Sequence, residues 1–480
     1  MSENAIDWGQ VKEWDEKYYL HVLKSQGEYG YVPIARTEGS YLYMPDGKKL
    51  LDFSSQLVCV NIDQGHPRIR EAIKEAVDRY GFVWEAFCTD YRARAAKLIV
   101  EDLLGPDGWA GRVRFSNSGS EAVEAALIIA RLFTGRPNII TREYAYHGWT
   151  MGAAGCTKLR AVRSALTSPE AQEIRDVPGF NHASFHFVPA PFCYRCSLGH
   201  TYPSCKQPDG TLACIQITEN IIRTLGPETV AAMITEITMG GGCVHPPLEY
   251  IPQIREMTRR LGILWIDDEV MCGFGRMGQW FAYQRYPGVT PDLMSIAKAT
   301  TNSAIPIGGV VLSREIADFF EGYRWWSINT FAAHPIAMAA TCATIEVMKE
   351  MDLPAVARRA SKMLEKSLLE LQDKHPCIGM VAGSEGGMLW GVEMVKDRKT
   401  REPFVTEDRH FLPAGDLKKF PNTVIRDKCA ERGVLAGGVF PNTLRLAPPL
   451  TITEEELNQG IEALDYAFSE VDKMTKEGKM

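Results

Sequence analysis

The 480-residue sequence lacks an excess of basic residues, an apolar run of membrane length and an export signal. Lys and Arg number 53 against 60 Asp and Glu, which gives a net charge of −7 and no basic block that could follow a phosphate backbone. The one stretch of about 20 residues without a charge, 325–345, contains Ser327 and Pro335, so it is not expected to span a membrane. Residues 1–10 carry acidic side chains and no apolar core. We therefore predict a cytoplasmic protein with neither nucleic acid nor a membrane as its partner.

The composition is that of a folded protein of several units. Hydrophobic residues make up 45% and charged residues 24% of the chain, close to the average for soluble globular proteins, which excludes disorder over most of its length. The chain is about three times the size of a typical domain of ~150 residues, so two or three packed units are expected. Twelve cysteines without an export signal predict reduced thiols and no disulfide framework.

The hydrophobic pattern divides the chain into three regions. Residues 1–60 predict an N-terminal arm followed by hairpin strands of a small domain. In residues 61–335, helical patterns alternate with apolar runs of strand length, which predicts a large α/β domain with a mostly parallel sheet. Residues 336–480 begin with two long amphipathic helices and end with a helix from Glu454, which predicts a smaller α+β domain. An insertion at 160–215, rich in Pro, His, Cys and aromatic residues, is expected to be a surface excursion near a site or an interface.

Individual elements are predicted from the same pattern. Four helices are expected at 68–80, 122–133, 336–351 and 353–374. Seven strands are expected at 138–140, 231–234, 263–266, 293–296, 308–312, 388–394 and 444–446.

A first candidate site lies where a strand ending at Phe115 gives way to a helix. The intervening residues Ser118, Gly119 and Ser120 are small or carry hydroxyl groups. Backbone N–H groups at a helix start, together with the positive end of the helix dipole, can bind a phosphate. An ordinary helix cap would use the same residue types.

A second candidate site follows the apolar strand at 263–266, which runs directly into Asp267, Asp268 and Glu269. Ligands of open α/β sheets bind at the carboxyl ends of the strands, so acids placed there face the binding crevice. Such an acid could bind a metal, act as a base or hold a proton on a heterocycle. A solvated loop or a helix cap would also accommodate these carboxylates.

A third candidate is Lys298, which ends the apolar run at 293–296. A buried lysine is costly unless it pairs or reacts, and Schiff-base chemistry uses such a residue. A lysine that reaches solvent from a strand end is the alternative. A phosphate-binding helix start, a strand-end acid and a strand-end lysine are together the three features that pyridoxal phosphate requires, so one cofactor pocket is predicted.

The chain resembles the class III, or omega, aminotransferases over nearly its whole length. The matching strings are Ser118-Gly119-Ser120-Glu121-Ala122, Tyr146-His147-Gly148, Glu236, Asp268-Glu269-Val270, Gly273-Phe274-Gly275-Arg276, Lys298, Asn329-Thr330-Phe331 and Leu444-Arg445-Leu446. The resemblance implies fold type I of the pyridoxal-phosphate enzymes, as in aspartate aminotransferase, with a large α/β domain and a smaller α+β domain. It also implies ping-pong transfer of an amino group from an amine to a 2-oxo acid.

The resemblance assigns the chemistry to two residues. Lys298 would form the aldimine with pyridoxal 5'-phosphate and then carry the proton of the 1,3-shift, while Asp268 would keep the ring nitrogen protonated. The cofactor-binding residues implied by the family are Ser118, Gly119, Ser120, Tyr146, His147, Glu236, Asp268, Val270, Lys298 and Thr330. Tyr146 and Val270 would sandwich the ring, and Thr330 would reach the phosphate of a neighbouring subunit, which implies a homodimer.

The substrate side of the resemblance rests on Arg445 and Val58. Arg445 would grip the substrate carboxylate, and Val58 stands where many pyruvate-using relatives carry a tryptophan in the pocket wall. Ile237 and Gly240 replace residues that in ornithine and GABA enzymes include a second glutamate able to neutralise that arginine, and Met271 replaces a glutamine of some relatives. The chain looks most like taurine aminotransferases, with 2-oxoglutarate or pyruvate as the acceptor; beta-alanine, putrescine-type diamines and GABA are the other expected donors.

Two alternatives remain open. A racemase, mutase or decarboxylase of the same fold would keep Lys298 and Asp268. A zinc site could be built from Cys193, Cys196, Cys205 and Cys214 with His200 nearby. Free cysteines are, however, often simply buried small residues, and no metal ligand is therefore assigned.

Overall fold

The computed structural model describes residues 6–22, 32–158, 183–384, 386–406, 420–437 and 440–480, together with the backbone of two short strands at 164–166 and 174–176. A seven-stranded sheet, two four-stranded sheets and the helices that pack on them dominate it.

The described residues contain a single helical turn at Ser55–Val58 and twelve longer α-helices, labelled α1 to α12 in chain order. They are Trp8–Tyr18, Pro67–Arg79, Asp90–Lys97, Gly119–Thr134, Met151–Cys156, Ala213–Leu225, Tyr250–Leu261, Arg314–Gly322, Pro335–Glu350, Leu353–Lys374, Pro421–Glu431 and Glu454–Lys476.

Seventeen strands are labelled β1 to β17 in the same way. They are Arg36–Glu38, Tyr41–Tyr43, Lys49–Asp52, Ala110–Ser116, Asn138–Arg142, Ser164–Leu166, Ile174–Asp176, Phe185–Val188, Val230–Thr235, Leu264–Asp268, Leu293–Ala297, Gly308–Ser313, Ile378–Ala382, Trp390–Asp397, Glu402–Pro403, Val434–Leu435 and Thr443–Leu446.

The large sheet has seven strands in the order β4-β12-β11-β10-β9-β5-β8. Strands β8, β5, β9, β10 and β11 are joined in parallel, whereas β12 runs antiparallel to both of its neighbours. Every residue of β9 and of β11 is buried, because helices cover both faces of the sheet. The predicted α/β class with a mostly parallel sheet is therefore confirmed.

The N-terminal strands belong to a sheet that also uses the end of the chain. Strands β1, β2 and β3 form an antiparallel meander, and β3 pairs in parallel with β16. A further sheet joins β13, β14, β15 and β17. Helix α9, which follows the predicted boundary at residue 335, packs against α2 and α3. The division into 1–60, 61–335 and 336–480 stays a prediction.

Much of the predicted insertion at 160–215 lies outside the described residues. Its described part, from residue 183 onward, includes β8 and a turn at Cys193–Arg195 that contacts the small-domain sheet through an ion pair between Arg195 and Glu393. All twelve cysteines are free thiols. Over the described ranges, no helix combines the length and the apolar character needed to cross a membrane.

Candidate active site

Four charged side chains stand in a row at the carboxyl edge of the large sheet. Lys298 directly follows β11, Asp268 ends β10, Glu236 directly follows β9 and Arg142 ends β5. These four parallel strands are neighbours in that order, so the row runs cation, anion, anion, cation. The carboxyl edge is where ligands of such sheets bind, and the sequence had predicted three of the four positions.

Lys298 is a strained and unpaired lysine. Its backbone has a φ of 45°, a left-handed conformation that costs energy in any residue with a side chain. In the described structure its Nζ atom makes neither a hydrogen bond nor an ion pair. Burial, and then the positive charge of Arg445, lower the pKa of Lys298. A lysine in this condition loses its proton more readily and becomes a better nucleophile.

Asp268 is held in a fixed orientation by two donors. Its Oδ2 atom lies 2.6 Å from Nδ1 of His147, and its Oδ1 atom accepts from the backbone N–H of Val270 at 3.1 Å. An ionised carboxylate can only accept, so the proton of this short contact lies on Nδ1 of His147. Asp268 is 4% exposed. The carboxylate therefore presents a fixed negative charge to the crevice.

The helix start at α4 has the features of an anion site. The Ser118 hydroxyl accepts from the backbone N–H of Glu121 at 3.2 Å and so caps the helix, which leaves the earlier N–H groups for a ligand. The Ser120 hydroxyl accepts from the backbone N–H of Trp149 at 3.2 Å and can still donate its own proton. A Cβ atom at Gly119 would lie 2.9 Å from Cγ1 of Val270, so glycine is required there. The two interpretations of this segment are therefore compatible: the Ser118 hydroxyl caps the helix, and the free N–H groups at the helix start can bind an anion.

The Tyr146-His147-Gly148 string lies against this helix start. Gly148 has a φ of 131°, and a Cβ atom there would lie 2.4 Å from the Ser120 hydroxyl. The ring of Tyr146 is 40% exposed, and burial followed by the charge of Asp268 raises its pKa. An exposed aromatic face beside Asp268 suits a stacked ring, and its pairing with Val270 across that ring stays a prediction.

Thr330 lies on the surface and Val58 lies in the core. Thr330 is exposed, and its neighbour Asn329 bonds to Asn117 at 2.7 Å and to Glu121 at 2.8 Å. Val58 is 1% exposed and packs in the core. The roles predicted for both, a phosphate contact in a second subunit and a pocket wall, stay predictions.

Arg445 is a buried cation without an anionic partner among the described residues. Its Nη1 atom makes one long contact, 3.5 Å, with the carbonyl of Gly240, and its Nε atom is buried without a partner. Burial lowers its pKa. Ornithine-type and GABA-type relatives are expected to place a neutralising acid near this position. Here a Cβ atom at Gly240 would lie 3.2 Å from the sulfur of Met271. A buried guanidinium left unpaired is a receptor for a carboxylate ligand.

The sequence patterns missed two buried arginines. Arg142 is fully buried at the end of the charged row. Arg276 is also fully buried and donates to carbonyls of Met388 and Pro448 and to the side chain of Asn61. A single arginine at a strand end gives no periodic signal, and the Arg276 partners are distant in sequence, so neither role was visible beforehand.

The cysteines considered for zinc are free thiols, and the assignment of no metal ligand stays a prediction. In the part of the chain that the structure describes, no three His, Cys, Asp or Glu side chains are grouped to hold a metal ion. Burial raises the pKa of Cys193 to about 11 and that of Cys214 to about 12, so these thiols carry their protons near neutral pH in the absence of a metal.

The residues present fit pyridoxal phosphate. An unpaired lysine, a fixed carboxylate and a helix start where only glycine fits match the aldehyde, ring nitrogen and phosphate of that cofactor. Lys298, Asp268 and the N–H groups beside Gly119 would hold these three groups.

Comparisons with known proteins agree with this geometry. Residues 24–468 match the family model described as Aminotransferase class-III. An S-selective transaminase from Bacillus megaterium is 46% identical, with a TM-score of 0.93 over 98% of this chain and 99% of that one. Taurine:2-oxoglutarate aminotransferase from Bifidobacterium kashiwanohense, solved with PLP and glutamate, is 30% identical, with a TM-score of 0.85 over 97% and 98% of the two chains. A leucine/methionine racemase from Thermococcus litoralis is 30% identical over 89% of this chain and 88% of its own.

The carboxyl-edge lysine and aspartate, the glycine-requiring helix start and the full-length family match lead to one conclusion: the chain belongs to the class III aminotransferases, has their type I fold and uses pyridoxal phosphate.

Proposed function

We propose that this aminotransferase takes its amino group from an omega-amino donor, with taurine as the first choice, and passes it to 2-oxoglutarate or pyruvate. The observation that carries the proposal is the pair of unpaired cations, Lys298 at the carboxyl edge of the large sheet and Arg445 on β17, whose charge lowers the pKa of Lys298. Lys298 suits proton transfer at an amine-bearing carbon, and Arg445 suits a carboxylate or sulfonate.

The chain's own residues divide the work. When bound, pyridoxal phosphate supplies an aldehyde that condenses with amines and a ring that accepts an electron pair. Lys298, with its lowered pKa, removes and returns the proton at the reacting carbon. Asp268, held by His147, keeps the ring nitrogen protonated. The amides at the start of α4 bind the phosphate and fix the distance between the ring and Lys298.

The surroundings of Arg445 favour a role in which this arginine binds an acidic group of the substrate in both half-reactions. Ornithine-type and GABA-type relatives are expected to neutralise this arginine with a glutamate when the substrate end is uncharged. Here the nearest described contact is the Gly240 carbonyl, and Ile237 lies in the core. Arg445 therefore stays charged in both half-reactions, which favours an acidic group on both substrates, as in taurine and 2-oxoglutarate. The likeness to the taurine enzyme supports the same choice, while the likeness to S-selective transaminases supports a chiral amine as a competing donor.

A same-fold racemase is the second candidate, because one similar protein is a leucine/methionine racemase. Lys298 and Asp268 would serve that reaction equally well. A racemase keeps the C–N bond and returns only the proton to the reacting carbon, so it releases no oxo product and a product assay separates the two reactions.

The test is a donor screen with purified protein. Taurine, beta-alanine, GABA, putrescine and both hands of a chiral primary amine are each offered with pyruvate or 2-oxoglutarate, and the oxo product is measured. We expect product from taurine, its loss in Lys298→Ala, and a raised KM for the oxo acid in Arg445→Met. Borohydride reduction followed by peptide mapping should place the cofactor on Lys298. Product from another donor alone would replace taurine, and a label on another lysine would remove the mechanism.

A further inference from the structure

The far end of the charged row has no role in the chemistry described so far. Asp268, Glu236 and Arg142 stand on the adjacent strand ends of β10, β9 and β5, and Arg142 is the one furthest from Lys298. A fully buried arginine requires a compensating interaction, because removing a guanidinium from water is costly unless its charge is balanced.

Glu236 is the acid that Arg142 contacts directly, and the charge of Arg142 also acts on the buried Asp267. Its Nη2 atom donates to the backbone carbonyl of Glu236 at 2.6 Å and lies 3.7 Å from the Oε2 atom of the same residue. Its Nε and Nη1 atoms are buried and have no hydrogen-bond partner within the described structure. The nearest ring is that of Tyr250, with its centroid 5.8 Å from the guanidinium carbon.

Glu236 lies beside Asp268 at the ends of two paired strands, because the register that pairs Thr235 with Asp267 places these two residues next to each other. Its Oε1 atom accepts from the backbone N–H of Gly240 at 2.9 Å, and its Oε2 atom is buried without a hydrogen bond. Burial raises the pKa of Glu236, while the charges of His147 and Arg142 oppose that rise. Nε2 of His147 is likewise buried and unpartnered, whereas Nδ1 contacts Asp268. The two unpartnered atoms belong to neighbouring members of one chain of charged groups.

We propose that Arg142 is a positioning residue for the ring nitrogen of the cofactor and acts through Glu236 and His147 on the Asp268 carboxylate. The inference rests on the proposed function, since it needs a protonated ring nitrogen opposite Asp268.

The argument is one of charge compensation. With Arg142 present, a permanent cation balances the buried Glu236 carboxyl group, and Nδ1 of His147 is left to Asp268 alone. Asp268 then keeps a fixed orientation towards the ring nitrogen. Without Arg142, His147 has to serve two buried carboxyl groups, Glu236 and Asp268, and Asp268 is held less firmly opposite the ring nitrogen.

The other nearby acids do not replace Glu236 in this chain. Asp267 and Glu269 lie on either side of Asp268 along the strand, and burial raises the pKa of both. Each has at least one buried oxygen without a partner. Burial favours the protonated, uncharged form of both groups, whereas Glu236 is the acid in direct contact with Arg142.

The test compares two cofactors that differ only at the ring nitrogen. The dissociation constants of pyridoxal phosphate and of its 1-deaza analogue, in which a C–H group replaces the nitrogen, are measured on the apoprotein by absorbance or fluorescence titration. Arg142→Met should weaken pyridoxal phosphate by about tenfold, the factor that corresponds to one pKa unit, and leave the analogue unchanged. Arg142→Lys, which keeps the charge, should bind both as the wild type does.

Two further variants make the result decisive. The double variant Arg142→Met with Glu236→Gln contains no uncompensated charge and should regain most of the lost affinity; it also supplies the comparison if the single variant does not fold. Arg255→Met removes a different buried arginine, paired with Asp292 at 2.6 Å and 2.7 Å near the opposite ends of the strands, and should affect both cofactors equally. Equal weakening of both cofactors in Arg142→Met, or no weakening, would overturn the inference. A wild-type protein that bound neither cofactor would instead refute the proposed function.

Discussion

At the scale of single residues, the partners of a buried charge distinguish a structural group from a functional one. Arg276 and Arg255 are almost completely buried, and both have firm partners: Arg276 has several acceptors, and Arg255 forms a two-bond pair with Asp292. The Nε atoms of these two arginines and of Arg445 are all unpartnered, but the terminal nitrogens of Arg445 make only one contact, which is long. Buried polar groups in proteins are nearly always satisfied, so the exception marks the place where a ligand completes the bonding.

A second residue-scale feature is the close contact between Gly119 and Val270. We expect Gly119→Ala to push Val270 into the ring position and to weaken cofactor binding by about 1–3 kcal/mol, the usual cost of overpacking. Adding Val270→Ala should restore part of the affinity, because it removes the two methyl groups that clash. Gly81→Ala is the matched control, since a Cβ atom there meets no neighbour within 4 Å. Titration of the apoprotein with pyridoxal phosphate checks all three variants, and unchanged affinity in Gly119→Ala would contradict the packing argument.

The sequence predicted the residues whose position along a strand is informative. Asp268 and Lys298 were found because each ends an apolar run, and strand ends face the crevice in this fold. Arg142 occupies an equivalent position but was missed, since its significance depends on β5 lying beside β9, and strand order is not visible in the chain. The capping role of Ser118 was recognised only as an alternative to phosphate binding, and the structure shows the hydroxyl bonded to the Glu121 amide.

At the scale of elements, Arg276 ties together three segments that are far apart in sequence. It donates to Asn61 before α2, to Met388 before β14 and to Pro448 after β17. Burial lowers its pKa to about 10, so it stays charged near neutral pH. The pocket-wall segment and the strand that carries Arg445 are thus fixed relative to each other.

Loss of this arginine should loosen all three segments together. Arg276→Met leaves several buried acceptors unpaired at about 1–3 kcal/mol each, so we expect a large fall in the urea midpoint of the apoprotein. The KM for the oxo acid should also rise in refolded protein, because β17 carries Arg445. Arg358→Met, which removes a guanidinium bonded to the Gly278 carbonyl at 2.6 Å, should lower the midpoint less. Similar midpoints for the two variants would show that Arg276 does not link the segments.

A pH-sensitive contact joins α10 to α12. His375 lies between Asp472, 2.8 Å from Nδ1, and Asp465, 2.7 Å from Nε2. Burial alone would lower the pKa of His375, but the two carboxylates hold it above its ordinary value. A raised pKa in the folded state means that the stabilisation is complete below pH ~6.5 and is lost as the pH rises through the folded value.

Thermal unfolding at a series of pH values checks this contact. The difference in Tm between the wild type and His375→Gln should be largest below pH ~6.5 and should shrink as the pH increases above it. His200→Gln, at an exposed histidine, should show no such trend. A Tm difference that grows with pH would mean that the doubly bonded imidazolium is absent.

Element positions were predicted well where amphipathic patterns are long. Helix α10 spans Leu353–Lys374, as predicted, and α12 begins at Glu454 behind a Thr453 capping box. The direction of each strand within the sheet was harder to predict from the sequence. Strand β12 has the buried apolar character of its neighbours but runs antiparallel to them, and burial on both faces gives the same sequence pattern in either direction.

At the scale of the whole molecule, the described surface carries an apolar segment that a single chain leaves open. Trp326, Ile328 and Phe331 are 73%, 67% and 58% exposed, and all lie within six residues of the exposed Thr330. Phe82 packs edge-to-face on Phe331 and extends the same surface. Exposed apolar patches of this kind mark protein interfaces. We infer that a second copy covers the segment, which agrees with the homodimer and the shared phosphate site implied by the family.

Dimer formation and activity should therefore be lost together. Ile328→Glu places a charge in the centre of the apolar segment, where burial against a partner would require desolvation of an unpaired carboxylate. We expect sedimentation to change from a dimer to a monomer, with loss of transaminase activity, because Thr330 can no longer reach the partner's phosphate. Leu369→Glu, at a comparably exposed leucine on α10, should leave both the dimer and the activity intact. Since the Asn329 contacts to Asn117 and Glu121 hold the Thr330 loop within its own chain, the Ile328→Glu monomer should keep its fold. A folded monomer with full activity would show that each chain carries a complete phosphate site.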